Sequence, residues 1–409
     1  MRQLGANQFK LVIDPQEKDK IDTVIVNTCG FISDAKQESI DTILQFVSAK
    51  KNGKIDNLFV MGCLSERYKE QLRSEIPEVN DFFGVSELRK IISSLGGKYI
   101  RELAGERMLT TPSHYAYLKI AEGCDRKCSF CSIPLIRGRH LSRPIEEIVR
   151  EAEILVGKGV KEINIISQDT TYYGLDLYHQ RKLPDLMIAL SEIKGLEWLR
   201  LHYTYPDGFP VGLLEIIRDR PNICKYIDIP LQHISSRVLK SMRRGISSDE
   251  TRRLIDNIRD TVPGVAIRTT LITGYPWETD KEFSGLKKFI REVKFDRLGV
   301  FAYSHEEGTG AYELRNNISD KLKKERLDEL MSIQEQISLD LNMHKIGNKM
   351  KTVIDREEND YFIGRTEYDS PEIDNEVLIP VKGNKLVPGN FYNVEICSAD
   401  SFDLYGKID

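Results

Sequence analysis

From Tyr115 to Ser304, six apolar runs alternate with stretches of helical spacing, and this alternation limits the possible folds more than any other feature. The runs are YAYLKIA, EINIISQ, WLRLHYTY, YIDIPLQ, AIRTTLITG and RLGVFAYS. Short apolar runs rich in β-branched residues predict buried strands. Between the first two lies RPIEEIVREAEILVGKG, with Ile145, Ile148, Val149, Ala152, Leu155 and Val156 on one helical face and Gly157 and Gly159 as its stop. Strands separated in this way by helices predict a parallel sheet, open or curled into a partial (β/α) barrel. A helical stretch carrying Leu327, Leu330, Ile337 and Leu341 closes the unit.

The flanks read differently. At 409 residues the chain exceeds one compact core, so two or three domains are expected. TVIVNTCGF and NLFVMGC predict two parallel strands of a small N-terminal α/β domain, followed by a polar linker, ELAGERMLTTPSH. Beyond Gly347, KTVIDREE, YFIGRTEYD, NEVLIPV, FYNVEIC and DLYGKID predict five short strands and an OB-like antiparallel β-barrel. The expected domains are 1–105, 110–345 and 346–409. No apolar run approaches the roughly 18 residues that span a bilayer, and MRQLGANQFKLVIDPQEKDK lacks the apolar stretch of a signal peptide. A cytoplasmic protein without a membrane partner is expected, and its seven cysteines point to metal or redox chemistry rather than a disulfide framework.

Three of those cysteines, Cys124, Cys128 and Cys131, lie within AEGCDRKCSFCSIP, directly after the first strand of the middle unit. Thiolates so close converge on one object only if the chain loops around it. A four-iron, four-sulfur cube suits the spacing and keeps one iron without a protein ligand. A zinc site completed by His140, or three inert buried thiols, are the alternatives left by spacing alone.

The C-x3-C-x2-C pattern, with Phe130 before the last cysteine, resembles the signature of the radical S-adenosylmethionine superfamily. The resemblance implies that the open iron chelates S-adenosylmethionine and that an electron from the cluster yields a 5′-deoxyadenosyl radical. It also implies cofactor contacts from Phe130, from Gln168 in ISQDT, and from Arg268 in IRTTLITGYPWET. The planar fork of Arg268 suits a carboxylate.

VNTCGF, MGC, the RGRHLSR run and DIPLQHISSRVLKSMRRG are similar to the methylthiotransferase family, and the C-terminal strands resemble its TRAM domain. This implies a second 4Fe-4S cluster held by N-terminal cysteines, here Cys29 and Cys63, and transfer of a methylthio group made with a second S-adenosylmethionine. The family's first cysteine lies in a Gly-Cys-Pro-Lys-Asn stretch that MRQLGANQFK is expected to follow, so the extreme N-terminus and the third ligand are expected to be missing. Cys224 and Cys397 are not obvious replacements.

The family has a transfer-RNA branch and a branch that modifies an aspartate of small-subunit ribosomal protein twelve. Residues 345–409 carry a net charge of −5 and the whole chain −4, which disfavours a phosphate backbone and favours a basic protein. The segment YFIGRTEYDSPEIDNEV also looks like the ribosomal-protein branch. The resemblance thus implies methylthiolation of the aspartate β-carbon in that protein, free or on the ribosome, by a monomer without a nucleic-acid substrate, using a reductant such as flavodoxin. The competing expectations are a transfer-RNA adenosine methylthiotransferase and a non-catalytic, metal-stabilised binding module. Arg137, Arg139 and Arg143 are candidates either for the substrate carboxylate or, preferably, for ordering the loop and the interdomain contact.

Overall fold

The computed structural model describes residues 1–13, 21–100 and 109–408. Residues 102–108 of the expected linker lie outside the described residues. In the N-terminal part, β1 (Thr23–Thr28), β2 (Asn57–Gly62) and β3 (Asp81–Phe83) form a parallel sheet in that order. The sequence reading found the first two; β3 is three residues long, too short to show a period. Ile43 and Val47 of the helix Ser33–Lys51 pack on Val24, Val26, Leu58 and Val60. Thr28 pairs with Gly62, so Cys29 and Cys63 follow directly on neighbouring strand ends. Gly62 is required there: at φ +110 a Cβ would stand 2.5 Å from the Thr28 carbonyl oxygen.

In the middle part, β4 (Tyr115–Lys119) is followed by a short antiparallel pair, β5 (Ala121–Glu122) and β6 (Leu141–Ser142), which brackets the cysteine loop. The strands β7 (Glu162–Ile166), β8 (Trp198–Leu201), β9 (Ile223–Asp228), β10 (Ala266–Thr273) and β11 (Arg297–Ala302) then join β4 in a sheet whose neighbours follow chain order. All its pairings are parallel. This is the partial (β/α) barrel. Side chains alternate across each strand: Ile163, Ile165, Leu199, Leu201, Ile227, Ile267 and Leu271 join the core shared with the helices. The intervening Glu162, Arg200, Tyr226, Arg268 and Arg297 take the other, concave face. Among the described residues no helix is long and apolar enough to cross a membrane.

The C-terminal strands β12 (Lys349–Glu358), β13 (Tyr361–Thr366), β14 (Val377–Pro380), β15 (Phe391–Ala399) and β16 (Leu404–Lys407) close into a barrel around Ile354, Phe362, Val377, Ile379, Val394, Ile396 and Leu404. An odd number of strands cannot close with every pair antiparallel; here β14 and β16 run parallel.

This barrel sends residues 365–374 across the concave face of the parallel sheet. Arg365 donates to Glu162 (Nη2–Oε2 2.8 Å) and to Asp355 (Nε–Oδ2 2.6 Å), and Glu162 also accepts from Arg200 Nε at 3.0 Å. His114 Nε2 lies 2.7 Å from Asp355 Oδ1, Tyr226 donates to Asp374 at 2.7 Å, and Arg297 pairs with Asp369. Ser370 Oγ meets His202 Nε2 at 3.1 Å, and the Lys225 backbone N–H donates to Glu367.

These contacts correct part of the charge argument. Asp355 and Asp369 count toward the net charge of −5 in residues 345–409, but both carboxylates are turned inward and matched by arginines, so they add nothing to an outward acidic face. Asp355 sits in the β-bulge between Ile354 and Arg356, where one extra residue breaks the two-residue alternation and re-aims a side chain. Glu357, Glu358 and Asp360 remain exposed.

A pH dependence follows. Burial alone would push Glu162 and Asp355 up, but Arg365, with Arg200 and His114 respectively, outweighs it and holds both below the usual carboxylate range. Asp369 is held down similarly by Arg297 and Lys345. Carboxylates depressed on folding add stability above their unfolded pKa of about 4 and lose it as pH falls through the folded value. Docking of the C-terminal barrel should therefore hold from pH 8 to about 5 and fail progressively below about 4. Hydrogen exchange at β13 across that range checks it.

Candidate metal and cofactor site

The loop of three thiols is built by its anchors. At Gly123 (φ +77) a Cβ would lie 2.0 Å from the Arg139 carbonyl oxygen, so only glycine lets the two legs of the loop pass. The Cys124 N–H donates to the Gly138 carbonyl (3.1 Å), the Ser129 N–H to Met242 (3.0 Å) and the Cys131 N–H to Cys128 (3.2 Å). Ser129 Oγ donates to the Ser241 carbonyl at 2.8 Å and meets Tyr275 Oη at 2.9 Å. Phe130 is half-buried in the apolar cluster of Val238, Met242, Tyr275, Tyr303 and Ala311 beside this loop.

Hydrogen-bond donors face the sulfurs. The Arg126 backbone N–H lies 3.4 Å from Cys124 Sγ and Arg244 Nη1 3.3 Å from Cys128 Sγ; Tyr205 Oη also lies 3.4 Å from Cys128 Sγ, while its O–H donates to the Arg244 carbonyl at 3.1 Å. Tyr205 is sandwiched between two guanidinium groups, Arg126 at 3.9 Å and Arg244 at 4.1 Å from its ring centre. Burial, helped by Asp169 at Cys124 and by the Cys128 sulfur at both, pushes the Cys124 thiol up to about 12 and the Cys131 thiol to about 11. Ionising them together therefore calls for a cationic centre between them. Arg126 and Arg244 were not singled out from the sequence. The MRRG run and the C-D-R-K-C loop hold them, but nothing in a linear pattern shows two arginines meeting on one tyrosine.

The donor set also bears on what it can hold. Among the described residues, no three His, Cys, Asp or Glu side chains gather tightly enough to hold a single metal ion. A cube differs from one ion in offering a separate iron to each thiolate. The His140 ring places Nε2 3.2 Å from Ser142 Oγ and lies tilted against Tyr172 at 4.9 Å, while its Nδ1 is buried without a partner.

Gln168 stands two residues beyond β7. Its Nε2 lies 3.4 Å from Glu122 Oε1, and its Oε1 is buried without a partner, so an acceptor there awaits a donor. Arg268 stands at the third position of β10, not at its carboxyl end, level with the last residue of β9. Its guanidinium lies 3.4 Å from both Asp228 and Asp374.

Across the loop stand Cys29, exposed, and Cys63, half-buried, both free thiols. Arg137 connects the two cysteine groups: Nη2 lies 3.4 Å from Cys63 Sγ and Nη1 lies 3.3 Å from Glu122. Arg139 is an exposed side chain 3.8 Å from Asp125, and Arg143 pairs with Glu151 at 2.8 Å. Cys224 is buried against Trp198, Tyr226 and Val353, and Cys397 lies exposed on β15.

Comparison with known proteins finds matches in three segments of the chain. Residues 118–290 match the model of the radical SAM superfamily, 346–408 that of the TRAM domain, and 1–84 that of the uncharacterized protein family UPF0004. A Flavobacterium johnsoniae protein named ribosomal protein uS12 methylthiotransferase RimO is 53% identical over 407 residues, covering 100% of this chain and 93% of its own length. Proteins of the same name from Bacteroides fragilis (54% over 409 residues, 100% and 94%) and Cytophaga hutchinsonii (55% over 392 residues, 96% and 90%) are equally similar. Among solved structures, the radical S-adenosylmethionine methyltransferase TsrM from Kitasatospora setae superposes with a TM-score of 0.53 at 14% identity, covering 69% of this chain and 64% of that one. It shares the fold.

Proposed function

This chain belongs to the RimO family of ribosomal protein uS12 methylthiotransferases, and we propose that it places a methylthio group on the β-carbon of an aspartate of that protein by radical S-adenosylmethionine chemistry. The observation that carries the reading is the loop of Cys124, Cys128 and Cys131, three free thiols faced by N–H donors, together with the unpartnered carbonyl oxygen of Gln168. Three thiolates suit a 4Fe-4S cluster with one open iron, which with S-adenosylmethionine supplies the one-electron chemistry that removes hydrogen from an unactivated carbon.

The protein's own groups have distinct tasks. The Arg244 guanidinium steadies the charge on the Cys128 sulfur, and Tyr205, stacked on that guanidinium and donating to the Arg244 carbonyl, holds it in place. Gln168 Oε1 accepts from the amine of the cofactor, while Phe130 packs the floor behind the loop. Arg268 offers its fork to the cofactor carboxylate by exchanging its two long contacts with Asp228 and Asp374. Cys29 and Cys63 hold the second 4Fe-4S cluster, and Arg137 donates to the Cys63 sulfur. The domains are 1–105, 110–345 and 346–409, the enzyme acts as a monomer, and flavodoxin is a suitable reductant.

The test is anaerobic incubation of the reconstituted enzyme, S-adenosylmethionine and a reductant with uS12 and, separately, with bulk transfer RNA. The expected result is a mass gain on the protein corresponding to methylthio replacing hydrogen, localised to one aspartate. A gain on the RNA alone overturns the assignment.

A further inference from the structure

A buried carboxylate joins the N-terminal part to the barrel immediately beside Cys29. Glu306 follows β11, and its side chain is 3% exposed. It accepts from Lys36 Nζ at 2.8 Å and from Arg67 Nη1 at 3.0 Å, both from the N-terminal part, and from its neighbour Ser304 at 2.7 Å. The same Arg67 donates from Nη1 to the Gly30 carbonyl at 2.8 Å and from Nη2 to the Glu307 carbonyl at 2.9 Å. The Ser33 N–H lies 3.4 Å from Ser304 Oγ. One guanidinium thus holds, at once, the barrel's loop and the residue next to Cys29.

We propose that Glu306 is a positioning residue which, through Arg67 and the Gly30 carbonyl, fixes the Cys29–Cys63 site in register with the Cys124–Cys131 site. The inference rests on the function proposed above. Three features support it. Gly30 lies one residue from Cys29, and a Cβ there would meet the Leu64 backbone at 2.7 Å, so the loop has little room to shift independently of the Cys63 helix. Ser39 Oγ bonds both the N–H and the carbonyl of Cys29, tying the cysteine to the helix that carries Lys36. A buried carboxylate with two cations also holds its geometry more firmly than exposed pairs do, because breaking it strands a charge out of water.

The reaction needs one carbon presented to both sites, and a displacement of about 1 Å costs roughly a hundredfold in such geometry. Loss of the clamp should therefore uncouple the two half-reactions while sparing each site. In reconstituted Glu306→Gln enzyme, iron and sulfide content should stay at the wild-type level. 5′-Deoxyadenosine should form within about twofold of the wild-type rate, and methylthiolated uS12 per 5′-deoxyadenosine should fall at least about tenfold. Glu306→Asp should recover part of that ratio, and magnetic coupling between the two reduced clusters should change in Glu306→Gln. An independent readout uses the protein without clusters: amide exchange at Ser33 and Lys36 should quicken in Glu306→Gln and not in Glu307→Gln. An unchanged product ratio with unchanged exchange overturns the clamp. If wild-type enzyme makes no methylthio product, the functional reading fails, and the exchange result alone then decides whether Glu306 holds the Cys29 loop.

Discussion

Cys128→Ala protein, reconstituted anaerobically with iron and sulfide, forms 5′-deoxyadenosine more than about a hundredfold more slowly than wild type, beyond the 10–100-fold that loss of an outer-shell partner costs. Arg244→Gln, which removes a donor 3.3 Å from that sulfur, falls within the milder range and serves as the graded comparison. Cys397→Ala, at an exposed position on β15, leaves the rate unchanged. The ordering follows from distance to the sulfur set: removing a donor atom abolishes the site, removing a hydrogen bond to one weakens it, and removing a distant thiol does nothing. The measurement is iron and sulfide content together with 5′-deoxyadenosine on reduction. A Cys128→Ala rate above about a tenth of wild type would remove the loop from the chemistry and restore the metal-stabilised binding module.

Arg365→Ala destabilises docking of the C-terminal barrel by about 3 kcal/mol, the lower end of the cost of stranding buried charges. Glu162 is 1% and Asp355 10% exposed, so the two carboxylates that Arg365 bridges have little access to water. The lower end applies because Glu162 keeps Arg200 and Asp355 keeps His114. Arg365→Lys does not rescue, since a single ammonium cannot span two carboxylates as the guanidinium fork does. Denaturant unfolding followed by Trp198, which packs edge-on against Phe391 of β15 at 4.8 Å, reports the docking directly. A loss under about 1 kcal/mol would place these ions with ordinary surface pairs.

The parts of the fold written as period were legible in the sequence. Strands such as β7 and β10, and the helix Ile145–Gly157 with buried Ile148, Ala152 and Leu155, announce themselves because burial selects apolar residues at fixed spacing. The cysteine loop was legible because its spacing is local. What joins distant segments was not. Nothing in DREE tells that Asp355 turns inward while Glu357 and Glu358 face water; that outcome depends on a bulge and on Arg365 ten residues away. Arg244 beside Cys128 and Glu306 beside Arg67 are likewise contacts between segments more than a hundred residues apart, carried by no periodicity. The place of Arg268 at the third position of β10, level with the end of β9, was likewise not legible, because a motif gives order along the chain but not the stagger of neighbouring strands.

The segment laid across the hollow of the half-barrel has a consequence for how such a protein can diverge. A terminal module that inserts Glu367, Asp369, Ser370 and Asp374 among the side chains of β8 to β11 and their loops is no detachable cassette. A graft from a relative with another cargo would arrive with acids and bases out of step with its host. Change at Arg297 or Tyr226 must be answered at the opposite wall, so the two pieces travel through descent as one inherited unit.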